Sequence, residues 1–253
     1  MESLGIDTIF GMPGAHILPV YDSLYDSTIN SVLAKHEQGA AFMASGYARA
    51  SGKIGACIAT AGPGATNLIT GIANAYVDKQ PVLAITGETS THIFGRGGLQ
   101  ESSGEGGSID QNILFKGITR YARMVERTDY LANVLNRASN ILLSANPGPV
   151  LLSFPFNVQK ETVDESILDD IRTTRNAFAG QTASNERIDS HERIDSHEQI
   201  DSHHISHAVD SLTDLIVKAE HPIIIAGYGC IKAGGQKELT ELSEMMRIPV
   251  TTS

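Results

Sequence analysis

A glutamate, Glu37, has the surroundings in which a carboxyl group can do proton chemistry. It lies in the Lys-His-Glu-Gln-Gly-Ala-Ala segment of residues 35–41, between a short apolar run and a helix of small residues. A carboxyl group at such a junction loses water, so it can hold or share a proton near neutral pH and act on a ring nitrogen. The competing interpretation is a glutamate in the first turn of a helix, which the helix dipole favours.

A glycine turn, Thr-Ala-Gly-Pro-Gly-Ala-Thr-Asn at residues 60–67, is the second candidate for chemistry. Its glycines let the backbone approach a ligand, and open amides at a helix start can bind polar or anionic atoms. Such turns also serve a purely structural purpose in α/β proteins. The turn matches neither the GxGxxG dinucleotide fingerprint nor the GxxxxGK[ST] phosphate loop, so a simple nucleotide-binding module ranks last among the functions considered.

The elements that must position these residues alternate between short apolar runs and helical patterns. This order is typical of strand-helix units with a parallel sheet. A Gly- and Ser-rich loop at residues 95–107 interrupts it. The predicted strands cover residues 6–10, 31–34, 54–60, 81–86 and 150–154, and the predicted helices cover 17–24, 65–76 and 129–144, with a further helix of small residues that ends at 51–52.

The composition predicts three parts: a parallel-sheet α/β domain over residues 1–158, an acidic repeat-containing linker over 159–204, and the beginning of a Rossmann-like α/β domain over 205–253. Residues 160–204 hold 11 acidic and five basic residues, and a six-residue motif beginning Glu-Arg-Ile-Asp recurs within 186–203. A period of six does not match the 3.6-residue helix, so the repeat cannot form a continuous apolar stripe and is predicted to be solvated.

The last segment follows the same strand-helix order. One such unit cannot bury both faces of a sheet, so we expect the sequence to end within this second domain. The predicted elements are a helix at 204–219, a strand at 222–226, a glycine-containing turn at 227–235, a helix at 237–246 and a strand at 249–252.

Charge and composition exclude several classes of protein. Lys and Arg number 19 against 29 Asp and Glu, a formal net charge of -10, which repels nucleic acid and anionic membranes. No apolar run approaches membrane-spanning length, and no basic residue precedes Lys35 as a signal peptide would require. We therefore expect a soluble, cytoplasmic protein without nucleic-acid or membrane partners. Cys57 and Cys230 are predicted to be core residues of a reduced protein.

The histidines do not predict a metal site. Flexible His-rich tracts bind transition metals weakly, but a specific site needs converging ligands, which a solvated repeat does not provide. His16, His36 and His92 lie near the predicted cleft and receive no role. The five histidines in or beside the repeat are His191, His197, His203, His204 and His207.

Taken together and in order, the motifs resemble a known family. They are similar to the amino-terminal domain of thiamine-diphosphate enzymes, particularly acetolactate synthase and its relatives. The resemblance is strong over residues 5–158 and weaker from His221 onward. It rests on Phe-Gly-x-Pro-Gly at 10–14, His-Glu-Gln-Gly-Ala-Ala at 36–41, Gly-Tyr-Ala-Arg-Ala-x-Gly-Lys at 46–53, Gly-Pro-Gly-Ala-Thr-Asn at 62–67, Thr-Gly at 86–87 and Gln-Glu at 100–101.

The resemblance implies a catalytic role for Glu37 in a pyrimidine-binding domain. In such enzymes the matching glutamate hydrogen-bonds N1′ of the cofactor's aminopyrimidine and promotes the imino tautomer, whose nitrogen takes the proton from the thiazolium C2. The resulting carbanion attacks the carbonyl of a 2-oxo acid. By the same matching, Gln100 approaches the substrate, and the residues against the cofactor are Pro13, Gly14, Pro63 and Asn67.

The sequence also departs from the family's pattern. Full-length members hold magnesium and the diphosphate with a Gly-Asp-Gly motif in a carboxy-terminal domain, and no Gly-Asp-Gly occurs in this sequence. We therefore expect the Mg2+ ligands in a domain that these residues do not include. Asn146 precedes Pro-Gly-Pro where FAD-binding synthases usually have an arginine, so the resemblance gives no support for FAD.

Two functions from different classes remain open. The first is the amino-terminal portion of a thiamine-diphosphate-dependent 2-oxo-acid decarboxylase or carboligase, acting on a substrate such as pyruvate in branched-chain amino acid biosynthesis. The family's active sites imply a homodimer or tetramer, with a separate carboxy-terminal domain as a further candidate partner, and the chain alone is expected to be inactive. The second is a non-catalytic truncated or pairing subunit that keeps the fold without the activity.

Overall fold

The computed structural model describes residues 1–169, 173 and 202–252. The chain divides into two compact units, residues 1–188 and 189–253, and the division falls inside the predicted linker. The repeated motif from residue 186 to residue 201 lies outside the described residues, so the solvated linker and the domain boundaries stay predictions.

A six-stranded parallel sheet forms the centre of the first unit. The strands are β1 (Thr8–Gly11), β2 (Asn30–Leu33), β3 (Gly55–Ala59), β4 (Val82–Glu88), β5 (Tyr121–Met124) and β6 (Val150–Pro155). Their order in the sheet is β2-β1-β3-β4-β6-β5, and every neighbouring pair is parallel. The predicted α/β class with a parallel sheet is confirmed.

The helices of the first unit differ from the predictions in two places. They are α1 (Leu18–Tyr25), α2 (Glu37–Ser51), α3 (Pro63–Asn67), α4 (Ile69–Val77), α5 (Gln111–Lys116) and α6 (Leu131–Leu142). The helix predicted at 65–76 is two helices, because Pro63 starts the first one early and the Leu68 N–H bonds Ala65 at three-residue spacing. Helix α5 was not predicted. Among the helices that the structure describes, none is both long and apolar enough to cross a membrane.

Small residues bring α2 against the sheet. A Cβ placed on Gly55 in β3 would lie 2.0 Å from the Ala44 carbonyl oxygen in α2, so the two backbones touch there. The alanines at 40, 41, 44 and 48 are buried on the same face of α2. This packing fixes the start of α2, and therefore Glu37, at the edge of the sheet.

The second unit is smaller. It contains α7 (Ser202–Lys218), β7 (Ile224–Ala226), α8 (Tyr228–Lys232), α9 (Gln236–Met246) and β8 (Val250–Thr252), and the two strands pair in parallel. The glycine-containing turn predicted at 227–235 is wrong, since α8 lies inside it. Gly227 caps this helix in an extended conformation and accepts the Cys230 N–H, and Gly229 lies inside the helix, so the glycines of this segment do not prevent a helix.

Candidate functional site

The site residues predicted from the sequence lie beyond the carboxyl ends of neighbouring strands of the sheet. Pro13 and Gly14 follow β1, Glu37 follows β2 after a short connection, and the glycine turn follows β3. Strand β1 lies between β2 and β3 in the sheet. After β1 the chain continues to β2 in one direction along the sheet, and after β3 it continues to β4 in the opposite direction. In open α/β sheets, this switch point at the carboxyl edge is where ligands bind.

Glu37 is a buried carboxyl group at the positive end of a helix. It is the first residue of α2 and only 7% exposed. Its Oε2 accepts a hydrogen bond from Asn67 Nδ2 at 3.0 Å, while Oε1 accepts none from the described residues. His36 caps the helix by accepting the Gln38 N–H through Nδ1, so the helix start is held without the Glu37 side chain. The carboxylate therefore keeps one oxygen free.

The glycine turn packs closely beside that free oxygen. Gly62 has a φ of 58°, a left-handed conformation that favours glycine. A Cβ on Gly64 would lie 2.7 Å from Thr60 Cγ2 and 3.4 Å from Glu37 Oε1, so no other residue fits there without displacing its neighbours. The Gly64 backbone, which carries no side chain, therefore lies against the free oxygen of Glu37.

Thr60 joins this turn to the segment after β1. Its Oγ1 accepts the His16 N–H at 3.2 Å, and a Cβ on Gly14 would lie 2.6 Å from Thr60 Cβ. Gly14 and Gly64 therefore pack on the same threonine. Pro13 and Pro63, the prolines beside them, are exposed at the same edge.

Gln100 reaches the same cluster from the loop after β4. Its Oε1 lies 3.4 Å from both Thr60 Oγ1 and His16 Nδ1, long distances for hydrogen bonds. Its backbone is left-handed, with a φ of 54°, which is uncommon for a residue other than glycine, asparagine or aspartate. His16 received no role from its sequence context, and the structure adds it to the group around Gln100.

Glu101, next in the chain, closes the loop that carries Gln100. Its Oε1 accepts the Gly95 N–H at 2.5 Å and the Ser103 hydroxyl at 2.9 Å, and its Oε2 accepts the Gly98 N–H at 2.9 Å. These hydrogen bonds, the Gly95 N–H first, lower the pKa of Glu101. The carboxylate thus stabilises the loop through hydrogen bonds to residues of the loop itself.

A second buried carboxyl group, Glu88, was missed from the sequence. It ends β4, has no exposed surface, and accepts hydrogen bonds from Thr89 and Ser102. Burial raises its pKa, although these hydrogen bonds and the nearby His16 act in the opposite direction. The sequence signal that could have identified Glu88 is its position as a charged residue at the end of a largely apolar strand.

Comparison with family models gives two matches. Residues 1–107 match the model described as thiamine pyrophosphate enzyme, N-terminal TPP binding domain. Residues 209–253 match the model described as thiamine pyrophosphate enzyme, central domain. The two matches together cover more than half of the chain and occur in the predicted order.

Curated relatives give the same family and are much longer. The chain is 36% identical over 254 residues to the "Probable acetolactate synthase large subunit" of Methanocaldococcus jannaschii, covering 100% of this chain and 38% of that protein. It is 36% identical to "Acetolactate synthase isozyme 2 large subunit" of Escherichia coli, and the match covers 99% of this chain and 40% of that protein. It is also 36% identical to "Acetolactate synthase catalytic subunit, mitochondrial" of Saccharomyces cerevisiae, and this match covers 100% of this chain and 34% of that protein.

The chain therefore spans about two fifths or less of the length of these relatives. Its sequence motifs, parallel sheet and family-model matches agree on one assignment. The chain belongs to the thiamine pyrophosphate enzyme family.

Proposed function

We propose that this chain supplies the pyrimidine-binding part of an enzyme that uses thiamine diphosphate to act on a 2-oxo acid such as pyruvate, as an acetolactate synthase does. The observation that carries the proposal is the Glu37 carboxyl group. It is buried, fixed through one oxygen by Asn67, and open through the other toward the glycine turn. That arrangement suits a group that holds a proton at a ring nitrogen.

The residues present fit an aminopyrimidine ring. Glu37 Oε1 accepts no hydrogen bond from the described residues, and the Gly64 backbone lies beside it without a side chain. Gly14 and Pro13 on one side, and Pro63 with Asn67 on the other, would then border the ring. Thiamine diphosphate, when bound, supplies the electron sink for cleavage next to a carbonyl.

Asn67 has a more specific role in this proposal than general contact with the cofactor. Its amide donates to Glu37 Oε2, so it holds the carboxyl group and turns the other oxygen into the cleft. A hydrogen bond to a charged group is stronger than one between neutral groups. Asn67 thereby positions the atom that would meet the ring nitrogen.

Gln100 is proposed to meet the substrate. Its carbonyl oxygen faces Thr60 and His16, so its amide nitrogen is free of these two groups. Two N–H donors could then bind the carboxylate or carbonyl oxygen of a 2-oxo acid.

The remaining parts of the proposed enzyme involve other chains or domains. We propose that a diphosphate-binding domain with the Gly-Asp-Gly motif supplies the Mg2+ ligands, and that a second copy of this chain completes a homodimer or tetramer. A cytoplasmic location remains a prediction, and the resemblance gives no support for FAD. The non-catalytic pairing subunit stays the alternative.

Carbon dioxide release from pyruvate tests the proposal. The purified chain, with thiamine diphosphate and magnesium, is expected to release none, because nothing in the sequence offers the family's magnesium motif. Adding a protein that carries the diphosphate-binding domain is expected to produce release. Release by the chain alone would contradict the expected inactivity, and no release from a mixture in which the two proteins associate would favour the non-catalytic alternative.

A further inference from the structure

Glu88 is the most deeply buried charged side chain among the described residues of the first unit, and the proposed chemistry does not use it. It stands at the carboxyl end of β4, between β3 and β6 in the sheet. Its Oε1 accepts the Thr89 N–H at 2.7 Å and the Ser102 N–H at 3.0 Å, and its Oε2 accepts the Ser102 hydroxyl at 2.6 Å. A buried carboxyl group is costly without such partners, so each of these bonds matters for its stability.

Ser102 extends this cluster to the glycine turn. The side chain is fully buried, and its Oγ, while donating to Glu88, accepts the Gly62 N–H at 3.2 Å. Gly62 also lies against the loop, since a Cβ placed on it would be 2.9 Å from the Gln100 carbonyl oxygen. One hydroxyl group therefore ties the turn after β3 to the loop after β4.

The strained backbone at Gln100 needs such support. Gln100 has a left-handed φ of 54°, and such a conformation in a residue other than glycine persists only where its surroundings enforce it. Two residues further on, Ser102 is held by Glu88 through both its N–H and its hydroxyl. The residue that faces the proposed substrate is thus fixed from one end by a carboxylate on the sheet.

We propose that Glu88 is a positioning residue, which acts through Ser102 to hold the Gly62 turn and Gln100 at a fixed separation. The inference rests on the proposed function, because in that function the Gly62 turn binds the ring and Gln100 faces the substrate. Glu88 would keep these two groups beside each other. A carboxylate suits this position better than an amide. It offers acceptors on both oxygens, whereas glutamine has one acceptor oxygen and cannot accept the Ser102 O–H through its nitrogen.

Amide hydrogen exchange at Gly62, measured in the full chain without cofactor, tests the proposal. Ser102→Ala removes the acceptor of the Gly62 N–H and is expected to speed its exchange about tenfold, the effect of losing one hydrogen bond. Ser139→Ala is the matched control, because Ser139 is an equally buried serine on α6 whose hydroxyl donates to the Asn136 carbonyl oxygen. It is expected to leave Gly62 unchanged. Unchanged exchange at Gly62 in Ser102→Ala would overturn the proposal.

Glu88→Gln separates the role of the carboxylate from that of the serine. It keeps the side-chain volume and leaves the Ser102 hydroxyl without its acceptor, so faster exchange at Gly62 is expected here too. Wild-type exchange in Glu88→Gln would show that Ser102 holds the turn without Glu88, and would overturn the role given to Glu88. Because no cofactor is present, these results do not depend on whether thiamine diphosphate binds, and failure of the proposed function would be seen separately in the pyruvate assay.

Discussion

Glu37→Gln is expected to lower cofactor-dependent turnover of pyruvate by about 10²- to 10⁴-fold, the range in which a positioned acid or base contributes. Glutamine keeps the size of the side chain and one acceptor oxygen, but it cannot hold a proton. The measurement is the rate of carbon dioxide release in the mixture of this chain with the diphosphate-binding domain.

The control for this change is Asp22→Asn, which removes the same charge from an exposed position on α1. It is expected to leave the rate within about twofold of wild type, as exposed positions tolerate substitution. A wild-type rate in Glu37→Gln would remove Glu37 from the mechanism.

Asn67→Leu is expected to lower the same rate by about 10- to 100-fold. Leucine resembles asparagine in shape but cannot donate to Glu37 Oε2, so the carboxyl group loses its 3.0 Å partner. A hydrogen bond to a charged group is worth about 1.5–3 kcal/mol, which corresponds to this range of rates. The loss should appear mainly in kcat, because the carboxyl group is present but poorly oriented.

Asn74→Leu provides the comparison for Asn67. It makes the same substitution at an exposed position of the neighbouring helix α4, away from the Glu37 carboxyl group. We expect it to keep the wild-type rate. Equal rates in the two variants would mean that Asn67 does not orient Glu37.

The parallel sheet was predictable because its strands are short, apolar and regularly separated by helical patterns. Once the parallel sheet was predicted, the meeting of the candidate residues could be predicted too, since the segments after β1, β2 and β3 must lie at the same edge of the sheet. Where the local pattern was ambiguous, prediction failed. Helix α5 follows a Gly- and Ser-rich loop, and α8 lies between glycines that were interpreted as a turn.

The candidate site was only partly visible in the sequence. Glu37 could be selected because its position at a junction of strand and helix is a local feature. The bridge from Glu88 through Ser102 to Gly62 joins residues 14 and 40 positions apart, and no periodicity connects them. Nor does the sequence reveal that Asn67 bonds Glu37, since that contact depends on how the start of α2 faces α3.

Calorimetric titration of thiamine diphosphate with magnesium tests the proposed pyrimidine site most directly. Wild type and Glu37→Gln are each titrated alone and in the mixture with the diphosphate-binding domain. Wild type is expected to bind in the mixture only, and Glu37→Gln is expected to bind about tenfold more weakly there, as the loss of one hydrogen bond predicts. Equal binding by the two chains, or no binding by wild type in either preparation, would contradict the assignment of this cleft to the aminopyrimidine.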